Sequence, residues 1–469
     1  MKSTDPTIIG RVQHVLGATV TVALNEDLAG ITPIYRGEIH RVGQVGSLVR
    51  IPQGLVDLIA TVELVGIAEL AGRMEPSDTV QRDQRWLQVQ LLGEIDCGSG
   101  RFQRGVGSFP GLDDPVHFAT PEQLTAIFPG SDTEHLRLGC LAAAENVPLC
   151  IDASRFVVRH SAVVGSTGSG KTSAVSSLLQ GFVRGGWQAA NIVVIDSHGE
   201  YGQALADVAS VKSVLAPGES GLRVPFWALS ANEILQVFGV TAGNTFHQRY
   251  TELVTAARRQ FVTEATWLDV GEAAVTVDTP VPFDLRKVWH QLDRENHETI
   301  ESGTPCIEDE GSPEELRSTR YRPYGAGSTP PNKGPYHGMH GTAPDQLRRG
   351  LLDPRLRFFR GPEGCPEGDD PLVGLVQDWL GGARPVSVLN FSGVPNVAAD
   401  LAVGVVLNLV FEVALRTEKD DDGIGRPRPV LIVLEEAHRY LGVDASALAR
   451  SSANRIAREG ESTEWGFCW

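Results

Sequence analysis

The stretch Ser161-Ala-Val-Val-Gly165-Ser-Thr-Gly-Ser-Gly-Lys171-Thr172 decides how this chain is read. Gly165 to Thr172 has the spacing G-x-x-x-x-G-K-[ST]; an apolar run precedes it and a helix-length segment, about Lys171 to Arg184, follows it. Strand, glycine loop and helix in that order form the setting in which this spacing has a mechanism. Glycines let backbone N–H groups curl around phosphate oxygens, and the helix start adds the positive end of its dipole. On this reading Gly165, Ser166, Thr167, Gly168, Ser169, Gly170, Lys171 and Thr172 bind a nucleotide, with ATP expected. Lys171 reaches the β/γ-phosphates and the Thr172 hydroxyl meets Mg²⁺.

Outward from the loop, three more apolar runs share its character: Asn191 to Ile195, Val386 to Phe391 and Pro429 to Leu434. The last two flank a helix-length segment from Val397 to Arg416. Continuously apolar strands alternating with helices predict a parallel sheet covered on both faces, an α/β core. Between the second and third runs, helical periodicity extends from beyond Pro225 to about Ala274 and again over Phe283 to Leu292, which predicts a helical insertion. Ser302 to Gly374 is rich in Gly, Pro and charge and reads as a functional loop or mobile segment. Ile8 to Ile67 is a series of short β-type runs, a small β-barrel with an open meander as the alternative. The expected organisation is 1–150 for the barrel and its connecting segment, 151–225 and 375–469 for the two parts of the core, and 226–374 for the insertion.

The chain has 469 residues with 41 basic and 58 acidic side chains, a net charge of -17, so any nucleic-acid contact must be local. Six cysteines without a C-x-x-C pair argue against a zinc ribbon or a disulfide framework. Met1 to Ile8 lacks an apolar export segment, and no run reaches the ~18 uninterrupted apolar residues of a membrane span. A cytoplasmic protein without a membrane partner is expected.

The run Leu431-Ile-Val-Leu434 ends in Glu435-Glu-Ala-His438, so a strand tip delivers acidic groups to the C-terminal edge of the sheet, where open α/β sheets build their sites. Glu435 is expected to hold Mg²⁺, and Glu436 to orient and deprotonate the attacking water. Acidic residues also favour the first turn of ordinary helices, the competing reading of the pair. After the second run, Asp196-Ser-His198-Gly-Glu200-Tyr201 gathers titratable groups; Asp196, His198 and Glu200 are candidates for positioning metal or water, or else line a turn at Gly199. Arg159 and His160 precede the glycine loop, and an arginine there is either a solvated flank or a group that reaches a neighbouring subunit's γ-phosphate. From Arg317 to Arg360 there are nine Lys or Arg and two acids, with Tyr321, Tyr324, Tyr336, Phe358 and Phe359 interleaved. That composition suits phosphate tracking, and equally a solvated loop.

Together these residues resemble the HerA family of hexameric DNA-translocating ATPases. The matching stretches are Tyr35-Arg-Gly-Glu-Ile-His-Arg-Val-Gly43, Arg159-His160, Val164 to Thr172, Asp196-x-His-Gly-Glu-Tyr201, Val224-Pro-Phe-Trp227 and Glu435-Glu-Ala-His438. The resemblance implies a RecA-like core, a homo-hexameric ring with ATP at subunit interfaces, double-stranded DNA in the channel, and a NurA-like nuclease or a sirtuin-like or nuclease defence effector as partner. It departs after Ile456-Ala-Arg-Glu-Gly460, where Glu461-Ser-Thr-Glu464 stands in place of an expected basic pair and further core strands. A nucleotide-binding scaffold that assembles an effector with little hydrolysis is the alternative reading.

Overall fold

A computed structural model of the chain describes residues 5–26, 34–35, 38–39, 44–67, 85–128, 135–141, 144–184, 191–268, 270–325, 330–359, 371–380, 384–416, 429–442, 447–459 and 465–468. Most of the Tyr35–Gly43 motif and the Glu461–Glu464 stretch lie outside them. Two compact units result, Met1–Ala153 and Ser154–Trp469.

The first unit contains β1 (Ile8–Leu16), β2 (Thr19–Leu24), β3 (Leu48–Gln53), β4 (Val56–Ile67) and β5 (Arg85–Asp96), and along β2, β3 and β5 residues alternate between buried and less buried, as a pleated sheet with one covered face requires. With β6 (Phe102–Arg104) and β7 (Pro115–Phe118), neighbours run β2-β1-β7-β3-β4-β5-β6, and β2 also pairs with β5. The ring therefore closes on six strands, with β6 appended to β5. This is the expected barrel, and closure excludes the open meander. Ile9, Val20, Val22, Val49, Ile51, Leu58, Leu87 and Val89 fill its interior at 0% exposure. Gly10 permits the tightest approach: a Cβ there would lie 2.1 Å from the Ala23 carbonyl oxygen. A hairpin, β8 (His135–Leu141) and β9 (Ala144–Asp152), follows.

The second unit carries a parallel sheet of β10 (Asn191–Asp196), β11 (Ala209–Ser213), β12 (Val386–Asn390), β13 (Val430–Leu434) and β14 (Trp465–Cys468), ordered β11-β12-β10-β13-β14. Every residue of β10 and β13 is buried, in line with their unbroken apolar sequence. Ser161–Val164, expected as a fourth core strand, is not one. It joins none of the named strands, and Val164 is 89% exposed. Both sides of β10 are taken, by β12 and β13, and β13 is flanked on its other side by β14, so neither strand that carries the site's acids has an edge left for this segment.

The insertion contributes α3 (Asn244–Glu264), α4 (Leu285–His297) and α5 (Ala343–Leu352), after α1 (Pro121–Ile127) in the first unit and α2 (Lys171–Arg184) behind the glycine loop. Its core is continuous with that of the sheet: Trp227, Tyr250, Trp289 and Phe359 belong to the same buried cluster as Ile195, Leu389 and Ile432. The segment expected to be a loop or mobile is folded over its described residues 302–325 and 330–359. Short strands such as Arg320–Tyr321 and Asn332–Lys333 pair with Ile307–Asp309 and Thr299–Glu301, and the Trp289 indole donates to the Pro344 carbonyl at 3.0 Å. Glycine and proline there mark turns between short elements, which a search for long periodic segments passes over.

Helix α6 (Asn396–Arg416) matches a membrane span by length and mean hydropathy, 2.0 over its apolar window, but 67% of that window is buried within the protein. Leu401, Val405 and Phe411 on it belong to the central cluster, and it packs on α7 (Ala447–Glu459).

One polar group holds the insertion's entry. Arg258 on α3 is 0% exposed, donates to the carbonyls of Trp227 and Leu229 at 3.2 and 3.3 Å and to that of Thr279, and lies over the Phe283 ring. Burial pulls its guanidinium down to about 10, still charged at neutral pH. Replacing it by leucine leaves three buried carbonyls without this donor, and about 3 kcal/mol of local stability is expected to go. Amide hydrogen exchange over 227–229 and 279–283 checks this: unchanged protection there rejects the role assigned to Arg258.

Candidate functional site

The glycine loop has the conformation its sequence demands. Gly168 and Gly170 have φ of +81° and +88°, where a side chain is strained. A Cβ on Gly165 would lie 2.4 Å from the Ser169 hydroxyl. Thr172 is half-buried in the first turn of α2, which seats Val175, Leu179 and Phe182 in the interior. The Lys171 ammonium turns back on the loop, donating to the carbonyls of Gly165 at 3.0 Å and Ser166 at 3.3 Å. Those oxygens occupy donor sites that phosphate oxygens would take.

The acidic residues meet because β10 and β13 are adjacent, parallel and in register, with Ile195 opposite Leu434. Asp196 and Glu435 therefore leave the sheet side by side. Asp196 is fully buried; its Oδ1 accepts the N–H groups of Gly199, Glu200 and His198 at 2.7, 3.2 and 3.3 Å, and its Oδ2 accepts that of Tyr201 at 3.1 Å. It anchors the turn that Gly199 makes at φ +81°. Glu435 Oε2 accepts the N–H groups of Ser197 and His198 at 2.8 and 3.1 Å, with the His198 imidazole 3.5 Å away. Burial, reinforced by neighbouring Asp196, pushes the Glu435 carboxyl up to about 7.

A cation beside this pair would favour the ionised form and reverse that shift. Among the described residues no group of three or more His, Cys, Asp or Glu side chains forms a metal cage. A hydroxyl and a single strand-end carboxylate suit Mg²⁺, which keeps waters and takes its other ligands from substrate phosphates. The residues therefore fit the ion in the company of a nucleotide.

Glu436 differs from its neighbour. Its φ is +51°, the left-handed region that costs a non-glycine residue roughly 1–2 kcal/mol, and its side chain is 39% exposed with Oε2 3.2 Å from His438 Nδ1. The strand tip is pinned from two sides: Tyr440 OH meets Ser197 Oγ at 2.8 Å, and Arg439 reaches Asp400 at 3.3 Å and Asn396 at 3.1 Å on α6. Sequence reading missed Tyr440, Arg439 and Asp400, since nothing in their spacing marks them.

Other candidates stand apart from this cluster. Glu200 is exposed and meets Asp196 only through its backbone N–H. Arg159 is exposed, with no hydrogen bond or ion pair to the described residues, while His160 Nε2 meets the Ala457 carbonyl at 3.0 Å. No hydrogen bond among the described residues joins the glycine loop to the acidic cluster. Three members of the basic segment form ion pairs within the protein, Arg317 with Asp309, Arg322 with Glu301 at 2.7 Å and Arg355 with Asp353 at 2.8 Å, while Lys333 sits over the Tyr324 ring. Tyr321, Phe358 and Phe359 are buried and so present no stacking face.

The profile of the helicase HerA central domain matches residues 136–410, more than half of the chain. The chain belongs to the HerA family. A probable helicase of Methanocaldococcus jannaschii is 21% identical over 388 residues, covering 81% of this chain and 61% of the relative. The DNA double-strand break repair helicase HerA of Sulfolobus acidocaldarius is 25% identical over 389 residues, 80% and 61% respectively. That of Pyrococcus furiosus is 36% identical over 113 residues, 24% of this chain and 19% of the relative. The chain thus spans about three fifths of the length of the longer-matching relatives. Among solved structures, the bacterial conjugative coupling protein TrwB aligns at 14% identity over 75% of this chain and 69% of its own, with a TM-score of 0.34. VirB4 of Thermoanaerobacter pseudethanolicus aligns at 14% identity over 72% and 77%, also with a TM-score of 0.34.

The raised carboxyl of Glu435 gives this HerA chain a pH signature. Between the ordinary glutamate value of 4.5 and about 7, the folded chain holds a proton that the unfolded chain releases. Stability of the nucleotide-free protein therefore falls as pH rises through that window, and the contribution is lost above it. Thermal midpoints from pH 4 to 8 are expected to decline less in Glu435→Gln than in the wild type; equal slopes reject the assignment.

Proposed function

We propose that the chain is an ATP-hydrolysing motor acting on duplex DNA as a homo-hexameric, RecA-like ring in the cytoplasm, in company with a nuclease or defence effector. The observation that supports this reading is a G-x-x-x-x-G-K-T loop together with two neighbouring strand-end acids, Asp196 and Glu435, in one α/β unit of a HerA-family chain. Two archaeal relatives, DNA double-strand break repair helicases, support duplex DNA as the substrate.

On this reading the triphosphate displaces the Gly165 and Ser166 carbonyls from Lys171, and the loop N–H groups hold the β-phosphate. Thr172 and Glu435 are the residues that would hold Mg²⁺, an ion that would supply charge neutralisation to the phosphate oxygens when bound. Glu436 accepts a proton from water as the water oxygen bonds to the γ-phosphorus and the bond to the bridging oxygen breaks, giving ADP and phosphate. Arg159, exposed and unpaired, suits action on a neighbouring subunit's nucleotide.

A scaffold that binds nucleotide with little turnover is the second reading, favoured by the absence of Ser161–Val164 from the sheet and by the self-satisfied Lys171. ATP turnover with and without linear duplex DNA separates them. For the motor, DNA raises the rate, Glu436→Gln lowers kcat about a hundredfold or more while ATP still binds, and Lys171→Ala loses binding as well. Equal, DNA-independent turnover in wild type and Glu436→Gln would leave only the scaffold.

A further inference from the structure

We propose that His438 is the positioning residue of Glu436, an assignment that rests on Glu436 being the group that activates water. The turn bearing Glu436 is held firmly. Its carbonyl accepts the Arg439 N–H at 2.9 Å, the Tyr440 N–H donates to the Ala437 carbonyl at 3.0 Å, and Tyr440 and Arg439 are tied to Ser197 and Asp400. The backbone is thereby fixed, but the carboxylate sits at the end of a rotatable chain. Among the described residues the one side chain it meets is His438.

On a regular helix residues i and i+2 point apart. Here the left-handed φ of +51° at Glu436 turns its side chain back toward His438, and the gap from Nδ1 to Oε2 closes to 3.2 Å. The backbone strain at this residue thus yields a specific contact. At this ion-pair distance the imidazole engages Oε2 and leaves Oε1 to accept from the attacking water. No bond between the two side chains forms or breaks; the proton taken from water stays on Glu436 until released to solvent. His438 is 77% exposed, so truncating it opens no cavity, and a role in packing is set aside.

The test uses the full chain with linear duplex DNA, reading kcat, KM for ATP, thermal midpoint and affinity for a fluorescent ATP analogue. His438→Ala is expected to lower kcat between about tenfold and a hundredfold, with KM, nucleotide affinity and thermal midpoint near wild type. His438→Asn places an amide nitrogen near the position of Nδ1 and recovers most of the rate, whereas His438→Gln reaches toward the Nε2 position and does not. Glu436→Gln combined with His438→Ala is no slower than Glu436→Gln alone. Wild-type kcat in His438→Ala beside an inactive Glu436→Gln overturns the positioning role alone, as does equal rescue by Asn and Gln. If Glu436→Gln matches the wild-type chain at whatever rate, the underlying reading fails and the positioning role with it.

Discussion

The in-register pairing of β10 with β13 is the constraint from which the site follows. Two fully buried strands, Asn191–Asp196 and Val430–Leu434, run side by side, and the first polar residues past their apolar stretches emerge together. One carboxylate, Asp196, is consumed by four backbone N–H groups and fixes a turn. The other, Glu435, accepts two N–H groups from that turn. A slip of one residue would carry one acid away from the other and leave a buried charge unmatched, which the interior tolerates poorly.

Around that pairing, hydrophobic burial and backbone strain divide the work. The shared core gives the strand tip a rigid platform, and each fully buried Val, Leu or Phe in it contributes about 1.5–3 kcal/mol. The Tyr440–Ser197 and Arg439–Asp400 contacts then hold Glu436 in a conformation it would not adopt alone. Strained positions persist where their surroundings over-determine them, and this one sits at the C-terminal end of the parallel sheet, where open α/β sheets build their sites.

Much of this was legible in the sequence because it rests on short-range rules. The alternation in Thr19–Leu24, the unbroken apolar runs of β10, β12 and β13 and the glycine spacing of residues 165–172 each specify a local structure directly. What was not legible depends on partners distant in sequence. Ser161–Val164 has the composition of a core strand, yet a strand exists only where a neighbour offers hydrogen bonds. Arg317 and Arg322 read as part of a free basic run, yet Asp309 and Glu301 come within reach once the segment folds. Phe358 and Phe359 look available for stacking until the central cluster is seen to contain them. Asp400 lies 39 residues from Arg439 and carries no local mark of that pairing.

The Lys171 ammonium donates to carbonyls of its own loop, and this sets what an incoming anion would gain. Lys171 already has two oxygens, so a ligand benefits only from the difference between its oxygens and those carbonyls. A small anion such as inorganic phosphate replaces one set of contacts with a similar set and gains little. A polyphosphate chain long enough to engage the loop N–H groups, Lys171 and the helix start together gains from all of them at once. Under the nucleotide-binding role proposed above, the loop would thereby favour a long phosphate chain over a single phosphate.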